Sequence, residues 1–239
     1  MACSITGILN RMAVTSKREQ QQKIVIIVIV LLCVLAVVGV MVLRHMQAQR
    51  ATETKLPTNA PLSIKLGDQN AKLKVVIYTD PVCDKCADYH NETVKPLYED
   101  YVKKDKVELD IRPVSIVTEQ SAPLTELLMC SNEQHKYMAT ADFMYRELTR
   151  QNGKVMAVNA ATFFQDYPMI QIARATDMEE SKLTSCVRDD RYADRIKQAD
   201  TQAYAANIYS TPTTFVGTQD PVRGYAIYDY VKSLIDISL

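Results

Sequence analysis

Apolar and polar positions divide the chain into blocks of different period. The first is IVIIVIVLLCVLAVVGVMVL, where Ile24 to Leu43 gives twenty uncharged residues in succession. As a helix, that length spans a bilayer core of about 30 Å. The block runs straight into RHMQAQR without the small residues of a signal-peptide cut, so it reads as an uncleaved transmembrane anchor rather than a cleaved signal. Cys33 follows two leucines, which do not form a lipoprotein processing site, and reads as one more apolar residue of the span.

From residue 44 to 61, RHMQAQRATETKLPTNAP has no apolar period and ends in turn formers, the pattern of a tether. LKVVIYT, Leu73 to Thr79, is a nearly continuous β-rich run suited to a buried central strand. After Asp84 the period changes: Ala87, Val94, Leu97, Tyr98, Tyr101 and Val102 recur at helical spacing as far as KKDK at 103 to 106, with Pro96 predicting a kink. VELDIRPVSIV, Val107 to Val117, predicts a second strand in which Pro113 marks an end or an edge. Strand, helix, strand is a βαβ unit, and its two strands should pair in parallel.

The stretch 119 to 207 offers helical patterns instead, over Leu124 to Leu148, Thr162 to Ala175, Glu179 to Val187 and Tyr192 to Ile208. Strand character returns in TPTTFVG, QDP makes a turn, and DYVKSLIDI closes the chain as a helix. The organisation expected is a short inner segment 1–23, an anchor 24–43, a linker 44–61, a sheet domain built from 62–118 and 208–239, and a helical insertion 119–207.

Charge narrows the class. Lys plus Arg equals Asp plus Glu at 28 each, so no basic excess drives phosphate-backbone binding and nucleic acid is not an expected partner. Arg11, Lys17, Arg18 and Lys23 precede the apolar block, against Arg44, Arg50 and Lys55 after it. This slight bias favours an inside amino terminus and places residues 44 to 239 on the outer face, where a dithiol can be kept oxidised.

The chemistry lies in YTDPVCDKCADYH, where Cys83 and Cys86 stand three apart as strand gives way to helix. Such a pair serves a zinc site, a copper clip, a structural disulfide or a redox-active dithiol. A metal site needs more ligands, yet no second Cys-x-x-Cys or His-x-His pair occurs, so the redox reading leads and no metal or cofactor is expected. A cysteine at a helix N-terminus faces unpaired N–H groups and the positive end of the helix dipole, which favour thiolate. Cys83 is therefore the expected attacking sulfur. Cys86, one turn further in, is the expected resolving partner.

A helical block set between a βαβ half and a strand-turn-strand-helix half, with Cys-x-x-Cys opening the first helix, is the pattern of an α/β thioredoxin-like fold with an inserted helical domain, here preceded by a transmembrane helix. VVIYTDPVCDKC, VKPLYEDYVKKDKVELDIRPVSIV and YSTPTTFVG followed by RG resemble, in order and spacing, the corresponding segments of DsbA-like thiol-disulfide oxidoreductases, over about residues 70 to 238. The resemblance implies that Thr211-Pro212 is a cis peptide facing Cys83, with the Thr211 backbone pairing with an extended substrate. It also implies exported protein substrates with free thiols and a membrane partner that reoxidises the dithiol. The location implied is a bacterial inner (cytoplasmic) membrane, crossed once, with the catalytic domain on the periplasmic or extracytoplasmic side.

Several neighbours are candidate modulators. Asp80 either relays protons near Cys86 or holds a turn, and His90, four residues past Cys86, is either part of the site or a packing residue. Asp84 and Lys85 replace the Pro-aromatic or Pro-His pair of many family members; Lys85 favours the Cys83 thiolate and Asp84 opposes it. Ser210 stands where the family often has glycine, and His45 and His135 carry no signal. Cys130 and Cys186 each follow a leucine by three on their own helices, so they are expected either to bond inside the insertion or to pack as buried free thiols. The expected activity is dithiol oxidation through Cys83 and Cys86. The alternatives are a reductase or isomerase of the same fold, a peptide-binding module, and a copper-binding chaperone.

Overall fold

A computed structural model describes residues 29, 31–42, 56–152 and 159–239. The chain divides into two units, residues 1–53 and 54–239. In the first, residues 31–42 form a helix, α1, whose apolar side chains are half to two-thirds exposed, from Val38 at 50% to Met41 at 67%. Among the described residues no helix is long and apolar enough to cross a membrane. Positions 24–28, 30 and 43 of the expected anchor lie outside them.

The second unit is a five-stranded sheet in the order β1-β3-β2-β4-β5. Its members are β1 (Ile64–Leu66), β2 (Leu73–Thr79), β3 (Val107–Pro113), β4 (Thr213–Val216) and β5 (Val222–Arg223). β2 pairs with β3 in parallel, from Leu73 opposite Val107 to Thr79 opposite Pro113, as the βαβ pattern requires. The other pairings, β1 with β3, β2 with β4 and β4 with β5, are antiparallel.

Strand alternation explains both faces of the sheet. Val75, Ile77, Leu109 and Ile111 point into the main core, which continues into the insertion through Leu124, Leu127, Leu128 and Met144. Val76, Tyr78 and Phe215 point the other way, into a second cluster with Val114, Ala203, Ala206 and Ile208. On that second face β3 carries Glu108, Asp110 and Arg112, all buried. Asp110 is held by the Arg112 guanidinium at 2.9 and 3.0 Å, which pairs the charges where water is excluded.

The cover over this face includes the end of the expected linker. Leu56 packs on the second cluster, and the carbonyls of Pro57, Asn59 and Pro61 accept from Arg112, Gln202 and Arg195 at 2.7 to 2.8 Å. Residues 56–61 are thus part of the folded unit.

The first crossover begins with α2 (Asp84–Tyr89) and continues without a break through π-helical His90–Val94, α3 (Lys95–Leu97) and π-helical Tyr98–Val102. Pro96 has no N–H and crowds the carbonyl four residues back, and widened turns on either side of it accommodate that fault. β3 ends at Pro113 instead of reaching Val117. The following amides are taken elsewhere: Ser115 donates to Asp200, and Ile116 and Val117 donate to Asp80.

Between β3 and β4, the described residues form α4 (Ser121–Asn132), α5 (Tyr137–Asn152), α6 (Ala160–Asp166), α7 (Met169–Thr176), α8 (Glu180–Arg188) and α9 (Ala193–Ala205). The single helical stretch expected over Leu124–Leu148 is two helices, broken where His135 turns left-handed at φ 58°. The stretch over Thr162–Ala175 is likewise divided, at Pro168, which ends the approach to α7. α10 (Tyr228–Asp236) closes the chain against the crossover and β4.

Candidate active site

A tight turn sets the first cysteine. The Cys83 N–H donates to the Asp80 carbonyl at 3.2 Å, and Cys83 is the N-cap of α2 in an extended conformation, φ −88° and ψ 118°. Its carbonyl then accepts from the N–H groups of Cys86 and Ala87 at 3.0 and 3.1 Å, starting the helix. Cys83 is 8% exposed and Cys86 1%, and the two are unbonded thiols.

The loop before β4 faces this pair. Thr211-Pro212 is cis, and the Cys83 thiol donates to the Thr211 carbonyl at 3.3 Å. Cys83 ionises at about 6: a hydrogen bond from the Cys86 thiol favours its thiolate most, burial opposes it, and contacts with the Thr211 side chain and the Cys86 N–H add to the lowering. The bond to the Thr211 carbonyl is lost on ionisation, so it works for the thiol and is outweighed. Cys86 is pushed well above the ordinary thiol range by burial, by the hydrogen bond its thiol donates to the Cys83 sulfur and by the charge on that sulfur. One sulfur is therefore an anion near neutral pH and the other keeps its proton.

Asp80 is fully buried under the turn with both carboxylate oxygens occupied. Oδ1 accepts from the Val82 N–H at 3.0 Å and the Ser121 hydroxyl at 2.8 Å; Oδ2 accepts from Ile116 and Val117 N–H, both at 2.9 Å. Burial raises its pKa and these donors work against the rise. This is the turn-holding arrangement, extended to the loop after β3 and the first residue of α4.

His90 is buried with Nε2 2.7 Å from Asp142 of α5, and its ring lies 5.3 Å from that of Tyr145. Burial acts to raise the Asp142 pKa, but hydrogen bonds from His90 and Lys95 hold it below the usual carboxylate range. His90 thus ties the active helix to the insertion. Asp84 is the first residue of α2. Lys85 is exposed, pairs with Asp88 at 2.9 Å and sits 5.5 Å over the Tyr225 ring, so its charge is engaged along the helix surface.

Three buried tyrosines lie within electrostatic reach of Cys86 in addition to the residues expected. Burial, and then the charge of the Cys86 sulfur, push Tyr89 up to about 12 and raise Tyr137 and Tyr145 further still. Tyr89 hydrogen-bonds Thr214 at 2.8 Å. Its place one helical turn after Cys86 was a usable signal; Tyr137 and Tyr145 come from the insertion and have none nearby in the sequence.

Cys130 and Cys186 form a disulfide between α4 and α8, with Cα atoms 5.8 Å apart. Both are buried, and a carboxylate oxygen lies 3.7 Å from each sulfur, Glu126 beside Cys130 and Glu133 beside Cys186.

This fold, with the cysteine pair opening the crossover helix beside a cis-proline loop, is matched by a family model described as Thioredoxin over residues 59–236. The chain belongs to the thioredoxin family. Among solved structures, the thioredoxin-family fold seen here is similar to oxidised BdbD from Bacillus subtilis, with TM-score 0.61, 17% identity, and 74% of this chain and 92% of that one covered. It is similar to α-DsbA1 from Wolbachia pipientis, at TM-score 0.62, 18% identity and coverages of 78% and 95%. Chlamydia trachomatis DsbA gives TM-score 0.58, 17% identity and coverages of 77% and 95%. The architecture is thus that of DsbA-type proteins. No curated protein sequence matches the chain.

Proposed function

We propose that this thioredoxin-family protein is a membrane-anchored thiol-disulfide oxidoreductase working as a dithiol oxidase on exported proteins. The observation that carries the reading is the placement of the sulfurs, Cys83 at the start of the helix against the Thr211 carbonyl of the cis-proline loop and Cys86 buried one turn further in, which lowers the pKa of the first thiol and raises that of the second. In the oxidised enzyme a substrate thiolate attacks Cys83 Sγ, the Cys83–Cys86 bond breaks, and Cys86 leaves and takes up a proton. The second substrate thiolate then attacks the substrate sulfur of the mixed disulfide. A substrate disulfide forms and Cys83 departs as thiolate, a good leaving group because its pKa is low. Two electrons have passed to the enzyme, and a membrane redox partner removes them.

The Thr211 main chain beside Cys83 is the proposed docking edge for the substrate. The anchor is residues 24–43; the twenty apolar residues and the exposed apolar side chains of α1 support it, since such a surface is stable only when covered. The place proposed is a bacterial inner membrane, crossed once, with the folded unit on the periplasmic side.

Equilibration with glutathione redox buffers tests the direction. An oxidase should poise the Cys83–Cys86 couple above about −200 mV, near the oxidising members of the family. A value below about −250 mV assigns the protein to reduction instead.

A further inference from the structure

Two features adjoin the cis-proline loop beyond the two sulfurs themselves. The first is a run of unpaired main chain. Among the described residues the N–H groups of Tyr209, Ser210 and Thr211 donate to no protein acceptor, and the Thr211 carbonyl accepts only from the Cys83 thiol. Exposed backbone of this kind, continuous with a reactive sulfur, can take one more strand, and an extended peptide is the chemistry that satisfies it.

The second is an aromatic pair beside that run. Tyr209 is 66% exposed and Tyr204, at the end of α9, 48% exposed. Their rings lie 6.1 Å apart at 39°, and the Tyr209 hydroxyl donates to Asn207 Oδ1 at 2.9 Å. An exposed tyrosine ordinarily samples several rotamers; here a neighbouring ring and a hydrogen bond hold the side chain in one place. A surface ring fixed before binding loses little entropy on contact with a ligand.

Side chains of an added strand project alternately, so a residue opposite Tyr209 lies two positions along the peptide from the one opposite Thr211. We infer that Tyr204 and Tyr209 form a side-chain subsite that selects extended substrate segments carrying an aromatic or large aliphatic residue near the reacting cysteine. The inference rests on the oxidoreductase reading above and adds the substrate class. An acidic residue at the same place would meet a π face and gain nothing.

The test uses the full-length chain in detergent micelles, with Cys86→Ala in place and Cys83 activated as a mixed disulfide with thionitrobenzoate. A peptide thiolate attacks Cys83 Sγ, a new S–S bond forms, and thionitrobenzoate leaves as its thiolate, so its release times the step. The probes are single-cysteine peptides with Phe, Leu, Ser or Asp at each position within three residues of the cysteine, together with free cysteine. The quantity read is the peptide rate divided by the free-cysteine rate. Phe should exceed Asp by about 5-fold at a position on one flank, in keeping with the energy of an aromatic pair. Tyr209→Ala should reduce that ratio to near one, Tyr209→Phe should keep most of it, and Tyr230→Ala, removing an exposed tyrosine of α10, should leave it unchanged. A wild-type rate indifferent to the flanking residue, or a preference that survives Tyr209→Ala combined with Tyr204→Ala, overturns the subsite and leaves the Cys83 assignment standing. Failure of free cysteine to displace thionitrobenzoate overturns the Cys83 assignment and this inference with it.

Discussion

The molecule holds two cysteine pairs in opposite electrostatic settings. Cys83 caps a helix, receives hydrogen bonds from the Cys86 thiol and N–H, and ionises at about 6. Cys130 and Cys186 are already bonded, buried, and each lies 3.7 Å from a carboxylate oxygen. Donors around Cys83 outweigh burial and the opposing charge of Asp80 and favour the thiolate that exchanges, whereas the bonded sulfurs of the second pair have no proton to lose. Placement alone therefore separates a pair suited to turnover from one suited to holding α4 against α8.

That contrast breaks most visibly if the exchange pair is altered. Cys83→Ala should reduce disulfide transfer to a model dithiol peptide to the uncatalysed background, while Cys86→Ala should accumulate a mixed disulfide on Cys83, seen as a mass adduct removed by reductant. Full transfer by Cys83→Ala would end the assignment. The second pair should affect stability instead. Replacing Cys130 and Cys186 together by Ser opens a loop with a sequence separation of 56 and should cost about 4 kcal/mol in urea unfolding, with the exchange rate of Cys83 retained. A comparable loss of exchange rate would show the two pairs to be coupled.

Asp80→Asn should come next in size. An amide offers one accepting oxygen, so two of the four donors meet an N–H group instead, and a loss of about 3 kcal/mol is expected from the urea midpoint. The last test concerns pH. The folded-state pKa of Cys83 is depressed, so ionisation stabilises the reduced protein fully above the ordinary thiol pKa of about 8.5, and this contribution is lost as pH falls through about 6. The reduced protein should lose stability relative to Cys83→Ser across that window, and its alkylation rate at Cys83 should be half-maximal near the lower limit. Alkylation at Cys86 keeping pace with Cys83 would contradict the division between them.

The legible parts of this structure are those whose cause is local. Continuous apolar character marks β2, strict alternation of Val107, Leu109 and Ile111 with charged residues marks β3, and a cysteine pair at a strand-to-helix change marks the site. β1 escaped notice because three residues, Ile64–Leu66, carry too little pattern. The charged face of β3 reads as solvent-facing by alternation, yet it is buried beneath residues 56–61 and α9, a packing decision made elsewhere in the chain. Asp80 shows the same limit more sharply. Its cap to Val82 lies two residues away, but the other three donors lie 36 to 41 residues on. Asp142 and the two tyrosines of the insertion reach Cys86 and His90 only through tertiary folding.

Those four donors to Asp80 also bear on modularity. Residues 119–207 look like a cassette that a protein engineer would cut out at its two sheet junctions and exchange. Yet the Ser121 hydroxyl and the Ile116 and Val117 amides share one carboxylate with Val82, next to the reactive sulfur. A transplanted insertion lacking a hydroxyl at that first helical position would leave the carboxylate short of a partner directly beneath the cysteine turn. The seam between the parts is a shared joint, so a working chimera has to carry residues 114–121 across as one piece with the strand that bears Asp80.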